Sequence, residues 1–199
     1  MRGETVLLPV LSRLFDAYFP RLCAGCGVRA DRGIFCRVCA PVKTDPTSFE
    51  GGYYGYPYAG VFRQLLHDLK FNHRRDVLPV LRSLVTRELF AHYDIVIPVP
   101  SHWIRRLEHG CDPVRLIFHL QKGMVKRRRY TPAFHALGKD ARAHHIDKVF
   151  GISQPQKIIG ANILIVDDIY TTGTTFRELK QTLLSVGAAS VDGYFLTRA

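Results

Sequence analysis

Apolar residues recur at helical spacing in five stretches of the chain. The clearest stretch contains Phe62, Leu65, Leu66 and Leu69, which follow one another at intervals of i, i+3, i+4 and i+7. In the last stretch, Gly187 supplies the glycine that commonly ends a helix. The pattern predicts helices over residues 1–19, 62–72, 77–90, 113–122 and 174–186.

Short apolar, β-branched runs lie between these helices. Residues 94–100 and 163–166 are typical of strands buried on both faces of a parallel sheet. Tyrosines that alternate with small residues over 53–58 indicate a strand or hairpin arm, 125–130 indicates a basic strand, and 191–196 is expected to close the sheet. Strands that alternate with helices predict an α/β fold built on a doubly wound parallel sheet.

Four of the five cysteines form two CxxC pairs, Cys23 with Cys26 and Cys36 with Cys39, and nine residues separate the pairs. Each pair can turn back as a knuckle, so that four thiolates surround one tetrahedral zinc ion. A redox CxxC and disulfide bonds are the alternatives, and both fit less well in an intracellular chain with two pairs so close together. We predict a structural zinc ion on these four cysteines, whereas Cys111 is predicted to be a small, partly buried apolar residue.

Prolines, glycines and hydroxyl residues crowd the stretch from 40 to 52, which shows no periodicity and is predicted to be a linker. It divides the chain into an N-terminal helix with the zinc module, residues 1–48, and an α/β domain, residues 49–199. No apolar run is long enough to cross a membrane, so we predict a cytoplasmic protein.

The chain is strongly basic, with 28 Lys and Arg residues against 17 Asp and Glu residues and a formal net charge of +11. Such a balance suits a polyanionic partner, either nucleic acid or a phosphate-rich ligand. A basic surface that serves solubility is the alternative. Between 131 and 148 the periodicity fades and histidines and cations crowd in, which predicts a mobile cationic loop.

The strongest motif begins with the apolar run 163–166, continues with Asp167 and Asp168, and ends in a hydroxyl-rich turn before a helix. In a parallel sheet, ligands lie beyond the carboxyl ends of the strands. Adjacent carboxylates can accept hydrogen bonds from ribose hydroxyls or hold a hydrated Mg²⁺ ion. Backbone N–H groups and hydroxyls at the helix start can surround a phosphate, and here they come from Thr171, Thr172, Gly173, Thr174 and Thr175.

The alternative for this motif is a turn that only caps a helix, which explains one Thr or Asp but not the ordered set. A Walker loop is excluded because its Gly-Lys-Ser/Thr ending is missing. The motif therefore predicts a binding site for a ribose-5-phosphate ligand.

With two acids followed by Thr-Thr-Gly-x-Thr, the chain resembles the type I phosphoribosyltransferase family. It more closely resembles the ComF/GntX branch of that family. The branch combines a four-cysteine zinc module, a helix that ends in Leu-Lys-Phe, here at Lys70, and a strand that ends in Val-Pro-Val-Pro, here at Pro98 and Pro100. The resemblance extends over about residues 22–198.

The resemblance implies a phosphoribosyl pyrophosphate site with Mg²⁺. Asp167 and Asp168 would contact the ribose, the Thr171 to Thr175 turn would bind the 5-phosphate, and residues 131–148 would form a flap over the ligand. The pyrophosphate side would include Lys70, Pro100, Ser101, Arg105 and Arg106, with His102 nearby. The branch is linked to DNA uptake in natural transformation, beside a helicase-like partner on single-stranded DNA.

The chain departs from the branch in two places. Relatives commonly read Arg-Gly-Phe-Asn-Gln where this chain has residues 109–113, His-Gly-Cys-Asp-Pro, and the flap lacks the expected glutamine and Arg-x-x-Asn. Both changes lie on the side of the pyrophosphate and the acceptor, which favours retained binding over retained turnover. A catalytic phosphoribosyltransferase, in which cations stabilise the leaving pyrophosphate, is the alternative.

A nucleic-acid contact is predicted at the basic run Arg127, Arg128 and Arg129, with tyrosines 53, 54 and 56 as stacking partners. A solvated strand edge is the alternative for the arginines. Core packing is the alternative for the tyrosines.

Overall fold

The computed structural model describes residues 22–30, 34–101, 110–120, 123–127 and 149–199. The predicted N-terminal helix, the flap, His102, Arg105, Arg106, Arg128 and Arg129 lie outside these residues. The strands are β1 (Thr47–Phe49), β2 (Gly52–Pro57), β3 (Ile95–Pro98), β4 (Val125–Arg127), β5 (Phe150–Ile152), β6 (Asn162–Tyr170) and β7 (Ser190–Arg198). The α-helices are α1 (Gly60–Phe71), α2 (Leu78–Ser83), α3 (Pro113–Phe118) and α4 (Thr174–Ser185), and short 3₁₀ helices cover Arg75–Val77, Arg87–His92 and Pro155–Lys157.

Five strands form the central sheet in the order β1-β2-β7-β6-β3. Strands β2, β7, β6 and β3 are parallel to their neighbours, and β1 is antiparallel to β2 at the edge. The α/β fold with a mostly parallel sheet is therefore confirmed. The last strand does not close the sheet at an edge, because the crossover through α4 lays β7 beside β6 and β2 pairs with its other side.

Each face of the sheet carries its own apolar core, and the two-residue period of β6 assigns its side chains to the two cores. Leu164 and Val166 pack in the core that contains α1, α2 and α3. Ile163 and Ile165 pack in the core that contains α4 and β5. By the same alternation, Asp168 continues the face of α1, and Asp167 continues the face of α4.

The helix predicted over 77–90 is interrupted. Helix α2 ends at Ser83, and the backbone N–H of Thr86 donates to the Tyr194 hydroxyl at 3.0 Å instead of continuing a helical ladder. A 3₁₀ helix, Arg87–His92, follows. The apolar stripe was predicted correctly, because Leu78, Leu81, Leu84 and Val85 are all buried, but the contact with β7 breaks the helix.

Three further differences separate the expected elements from the observed ones. The predicted linker contains β1, which forms a hairpin with β2. Strand β4 does not join the central sheet but pairs antiparallel with β5 in a separate two-stranded sheet. Helix α3 ends at Phe118, because His119 adopts a left-handed conformation with φ 53°. Within the described residues, no helix has the length and apolar composition required to cross a membrane.

Candidate functional site

The Thr171 to Thr175 turn lies where β6 leaves the sheet and α4 begins. Gly173 is the N-cap of α4 with φ 70°, in the left-handed region that favours glycine. The hydroxyls of Thr172 and Thr174 are hydrogen bonded at 3.0 Å, and Thr171 and Thr172 are exposed. The turn therefore presents hydroxyls and helix-start N–H groups at the carboxyl edge of the sheet, as the sequence predicted. We call it the phosphate loop.

Gly173 is also required by a close contact. A Cβ atom at this position would collide with the hydroxyl and ring of Tyr170, the last residue of β6. Any side chain here would displace Tyr170 in addition to straining the backbone. The two constraints together explain why the position requires glycine.

Lys70 and Asp168 form an ion pair beside this loop. Lys70 Nζ lies 2.7 Å from Asp168 Oδ2, and the two side chains are only 17% and 8% exposed. Burial acts to lower the pKa of Lys70, but the charge and hydrogen bond of Asp168 outweigh it and raise the pKa above its ordinary value. The sequence assigned Lys70 to the pyrophosphate and Asp168 to the ribose; the structure brings the two side chains together.

Asp167 lies on the opposite face of the same strand. One of its carboxylate oxygens accepts a hydrogen bond from the Asp168 backbone N–H at 2.9 Å. Burial, followed by the neighbouring charge of Asp168, raises the pKa of Asp167 to about 8, although Lys70 acts in the opposite direction. In the ligand-free protein, this carboxyl therefore retains its proton at neutral pH more readily than an ordinary aspartate.

Asp167→Asn is expected to stabilise the ligand-free protein at neutral and alkaline pH. An unfolded aspartate ionises near pH 3.9, whereas the folded Asp167 retains its proton up to about pH 8. The native state of the wild type therefore loses stability as the pH rises between these values, and asparagine does not. Urea unfolding from pH 4 to 9 should show a difference that grows to at least about 1 kcal/mol. A difference that is constant with pH would contradict the assignment.

A cavity of about 300 Å³ opens where β3 leaves the sheet. We call it the strand-end cavity. Pro100 and Ser101, which the resemblance assigned to the pyrophosphate side, line it together with the cationic residues Arg115, Lys126 and Arg127. The cavity therefore combines a strand carboxyl end with positive charge, which is the chemistry that a diphosphate requires.

Arg115 was not among the predicted site residues, and Lys126 was predicted only as part of the basic run that continues with Arg127. A usable signal for Arg115 was present, because Asp112 followed by Pro113 is a typical helix start. In the structure, Asp112 is the N-cap of α3 and accepts a hydrogen bond from the Arg115 backbone N–H at 3.3 Å. This start places Arg115 in the first turn, against the strand-end cavity. The sequence did not place Lys126 at this cavity, because the partner of β4 is not evident from it.

Arg127, assigned by the sequence to nucleic acid, lies in the strand-end cavity with its guanidinium 5.7 Å from the centre of the Phe150 ring. The role of the basic run in nucleic-acid binding stays a prediction. Among the tyrosines, Tyr56 is a core residue: it is buried, stacks on Phe62 with ring centres 4.3 Å apart and donates to the Leu84 carbonyl.

The four cysteines of the two CxxC pairs converge on one point. Their sulfur atoms all lie within 4.8 Å of one another, and Cys26 Sγ and Cys36 Sγ are 3.7 Å apart. A tetrahedral zinc ion with Zn–S bonds of about 2.3 Å separates its sulfur ligands by about 3.8 Å. The cluster could therefore hold a metal ion, and its dimensions are compatible with zinc.

Two backbone turns bring the four cysteines together. Their sulfur atoms can ionise together more readily when a cation lies between them. The N–H of Gly27 donates to the Cys23 carbonyl at 2.9 Å, and that of Ala40 donates to the Cys36 carbonyl at 3.0 Å. The sulfurs of Cys26 and Cys36 raise the pKa of Cys39 to about 12. Four neighbouring thiols cannot all ionise without a positive charge between them, which a bound metal would supply.

Sequence comparison finds relatives that are named for DNA utilization and for competence. No protein-family model matches the chain. DNA utilization protein YhgH from Escherichia coli (strain K12) is 29% identical over 194 residues, which cover 89% of this chain and 84% of the relative. Competence protein ComFC from Bacillus subtilis is 23% identical over 191 residues, with 89% and 78% covered.

A third relative carries the name of an enzyme. Amidophosphoribosyltransferase from Schizosaccharomyces pombe is 25% identical over 166 residues, which cover 83% of this chain and 30% of the relative. The matches to YhgH and ComFC cover both the four-cysteine module and the phosphate loop. They confirm the resemblance of the chain to ComF-like, phosphoribosyltransferase-like proteins.

Proposed function

We propose that this protein is a ComF-like accessory protein of DNA utilisation that binds phosphoribosyl pyrophosphate, or a related ribose-5-phosphate ligand, at the carboxyl edge of its sheet. The observation that carries the proposal is the convergence at this edge of three features: the phosphate loop, the acids of β6 and the strand-end cavity. Relatives named for DNA utilisation and competence support the cellular role.

Each feature suits a different part of the ligand. The N–H groups of the phosphate loop at the start of α4 would bind the 5-phosphate. Asp167 and Asp168 would accept hydrogen bonds from the ribose hydroxyls, and Arg115 and Lys126 would face the diphosphate. Carboxylate oxygens also suit Mg²⁺, which would neutralise part of the diphosphate charge when bound.

The departures from the family bear on turnover. Asp112 and Pro113 stand where relatives have Asn-Gln, and in this chain they start α3 and orient Arg115 towards the strand-end cavity. This arrangement adds a cation to the diphosphate side without supplying a group for the acceptor. We therefore propose binding as the primary activity.

Calorimetric titration of phosphoribosyl pyrophosphate with Mg²⁺ tests the proposal. Binding is expected for the wild type and should weaken more than about 100-fold in Asp167→Asn/Asp168→Asn, because the charge of Asp168 and the hydrogen bonds that both carboxyl groups would offer the ribose are lost. The matched control, Asp76→Asn/Asp94→Asn, removes two carboxylates away from this edge and should bind normally. Absence of binding by well-folded wild type would overturn the proposal.

The second candidate is a catalytic phosphoribosyltransferase, favoured by the similarity to amidophosphoribosyltransferase. Pyrophosphate release that depends on an added base or amine, and that Asp168→Asn abolishes, would establish it.

Contact with single-stranded DNA through residues 127–129, beside a helicase-like partner, also belongs to the proposal. An affinity for single strands that did not fall with salt would contradict that contact.

A further inference from the structure

A second and larger cavity, of about 680 Å³, lies on the helical face of the sheet, against α2 and α3. We call it the helix-face cavity. Its cationic walls are Arg75, which starts the 3₁₀ helix before α2, Arg82 in α2 and Arg115 in α3, and His119 lies at its rim. No residue of the phosphate loop and neither acid of β6 lines it.

The charge of this cavity is strongly positive. Three guanidinium groups line it, and Asp112 is the one carboxylate among its described lining residues. Asp112 carries one negative charge and the three arginines carry three positive charges, so the net charge of these side chains is positive. A cavity with this balance attracts anions and repels cations.

The Nε–H groups of Arg82 and Arg115 differ in their hydrogen bonding. Arg82 Nε donates to the Leu116 carbonyl at 2.9 Å, which fixes that guanidinium in place. Arg115 Nε is buried and has no hydrogen-bond partner among the described residues. A buried donor without a partner is unfavourable, so an acceptor from a ligand would stabilise it.

The helix-face cavity adjoins the strand-end cavity. Asp112 and Arg115 line both, so the first turn of α3 forms the wall between them. Cys111 lines only the helix-face cavity and is half-buried, and Lys126 lines only the strand-end cavity. These two residues allow the occupancy of each cavity to be measured separately.

We propose that the helix-face cavity is a second anion site, which binds a phosphate group carried by a nucleotide or by a phosphodiester chain. The site shares Asp112 and Arg115 with the strand-end cavity, but the proposal does not depend on the ribose-phosphate proposal. Guanidinium groups suit phosphate because their planar N–H pairs match its oxygens. The volume lies within the range of small-ligand sites, and Leu116 and Leu120 provide apolar surface for a base or sugar.

Alkylation of Cys111 by the neutral reagent iodoacetamide, followed by peptide mass spectrometry, reports occupancy of the site in the full-length protein. The probes are inorganic phosphate, thymidine monophosphate and a ten-nucleotide thymidine oligomer. A bound phosphate is expected to slow alkylation of Cys111 several-fold. If none of the three probes slows alkylation at millimolar concentration, the proposal is overturned.

Arg75→Gln is the test variant, because Arg75 is exposed; each variant is compared with its own alkylation rate without probe, since the charge of Arg75 acts to lower the pKa of Cys111. The probe concentration needed for half-protection should rise about tenfold, since one charge-assisted hydrogen bond is lost. Arg63→Gln, which removes an equal charge from an exposed position on α1 outside both cavities, is the matched control and should behave as wild type. Equal weakening by the two variants would overturn the proposal in favour of a general effect of net charge.

Two further comparisons identify the site and its ligand. Lys126→Gln and Asp168→Asn should leave protection of Cys111 intact, even if the ribose-phosphate proposal fails; loss of protection in Lys126→Gln would place the anion in the strand-end cavity and overturn this inference. Protection by the oligomer at far lower phosphate concentration than by the mononucleotide supports a phosphodiester ligand. The reverse order supports a nucleotide ligand.

Discussion

Cys36→Ser is expected to abolish metal binding and to lower the free energy of unfolding by about 3–5 kcal/mol, because a structural zinc site contributes its binding energy to folding. Cys36 is buried and belongs to the same apolar core as Cys23, Phe35, Leu65 and Leu66. Loss of the metal would therefore open the module and also expose part of the surface of α1. The effect should reach the whole domain and not the module alone.

Metal analysis of the purified protein and urea unfolding measure the two parts of this result. Cys111→Ser is the matched control, since it makes the same substitution at the cysteine outside the cluster and should retain one zinc ion per chain. Purified wild type that contained no metal, with all four thiols titratable, would remove the zinc assignment. A chelator should reproduce the unfolding of Cys36→Ser in the wild type and have no further effect on the variant.

Lys70→Met is expected to lower the free energy of unfolding by about 3–5 kcal/mol, the usual penalty for removing one partner of a buried ion pair. The substitution leaves Asp168, 8% exposed, without its counterion and beside Asp167. No cation would then offset the charge of Asp168 or its repulsion of Asp167, which raises the energy of the ionised form. Urea unfolding at neutral pH measures the loss.

The double variant Lys70→Met/Asp168→Asn distinguishes the ion pair from simple packing of the lysine stem. If the pair is responsible, removing both charges should restore most of the stability, because no isolated buried charge remains. If the double variant is as unstable as Lys70→Met, the stem and not the charge is the stabilising element. A loss below about 1 kcal/mol for Lys70→Met would contradict a tightly buried pair.

The ion pair also bears on ligand binding. The Asp168 carboxylate can accept a hydrogen bond from either Lys70 or a ribose hydroxyl, and in the structure it is paired with Lys70. A ribose that hydrogen bonds to Asp168 would release part of Lys70 towards the diphosphate. The two roles that the sequence suggested for these residues are compatible with this exchange.

Features that depend on neighbouring residues were predictable from the sequence. Strand β6, the phosphate loop and helix α4 follow from an apolar run, a glycine and a helical period within a single stretch. The cysteine cluster follows from the spacing of Cys23, Cys26, Cys36 and Cys39, because a tight turn brings the two cysteines of each pair together. Hydrogen bonds between residues close together in the chain form these features, so a short stretch of sequence is enough to predict them.

Contacts between distant stretches were decided only by the tertiary structure. The position of β7 in the middle of the sheet, the interruption of the helix at Thr86 and the pair between Lys70 and Asp168 each join segments far apart in the chain. The two cavities that meet at Arg115 arise in the same way. Periodicity shows which face of an element is buried, but the neighbour that covers this face depends on the packing of the whole chain, and a one-dimensional pattern does not contain that information.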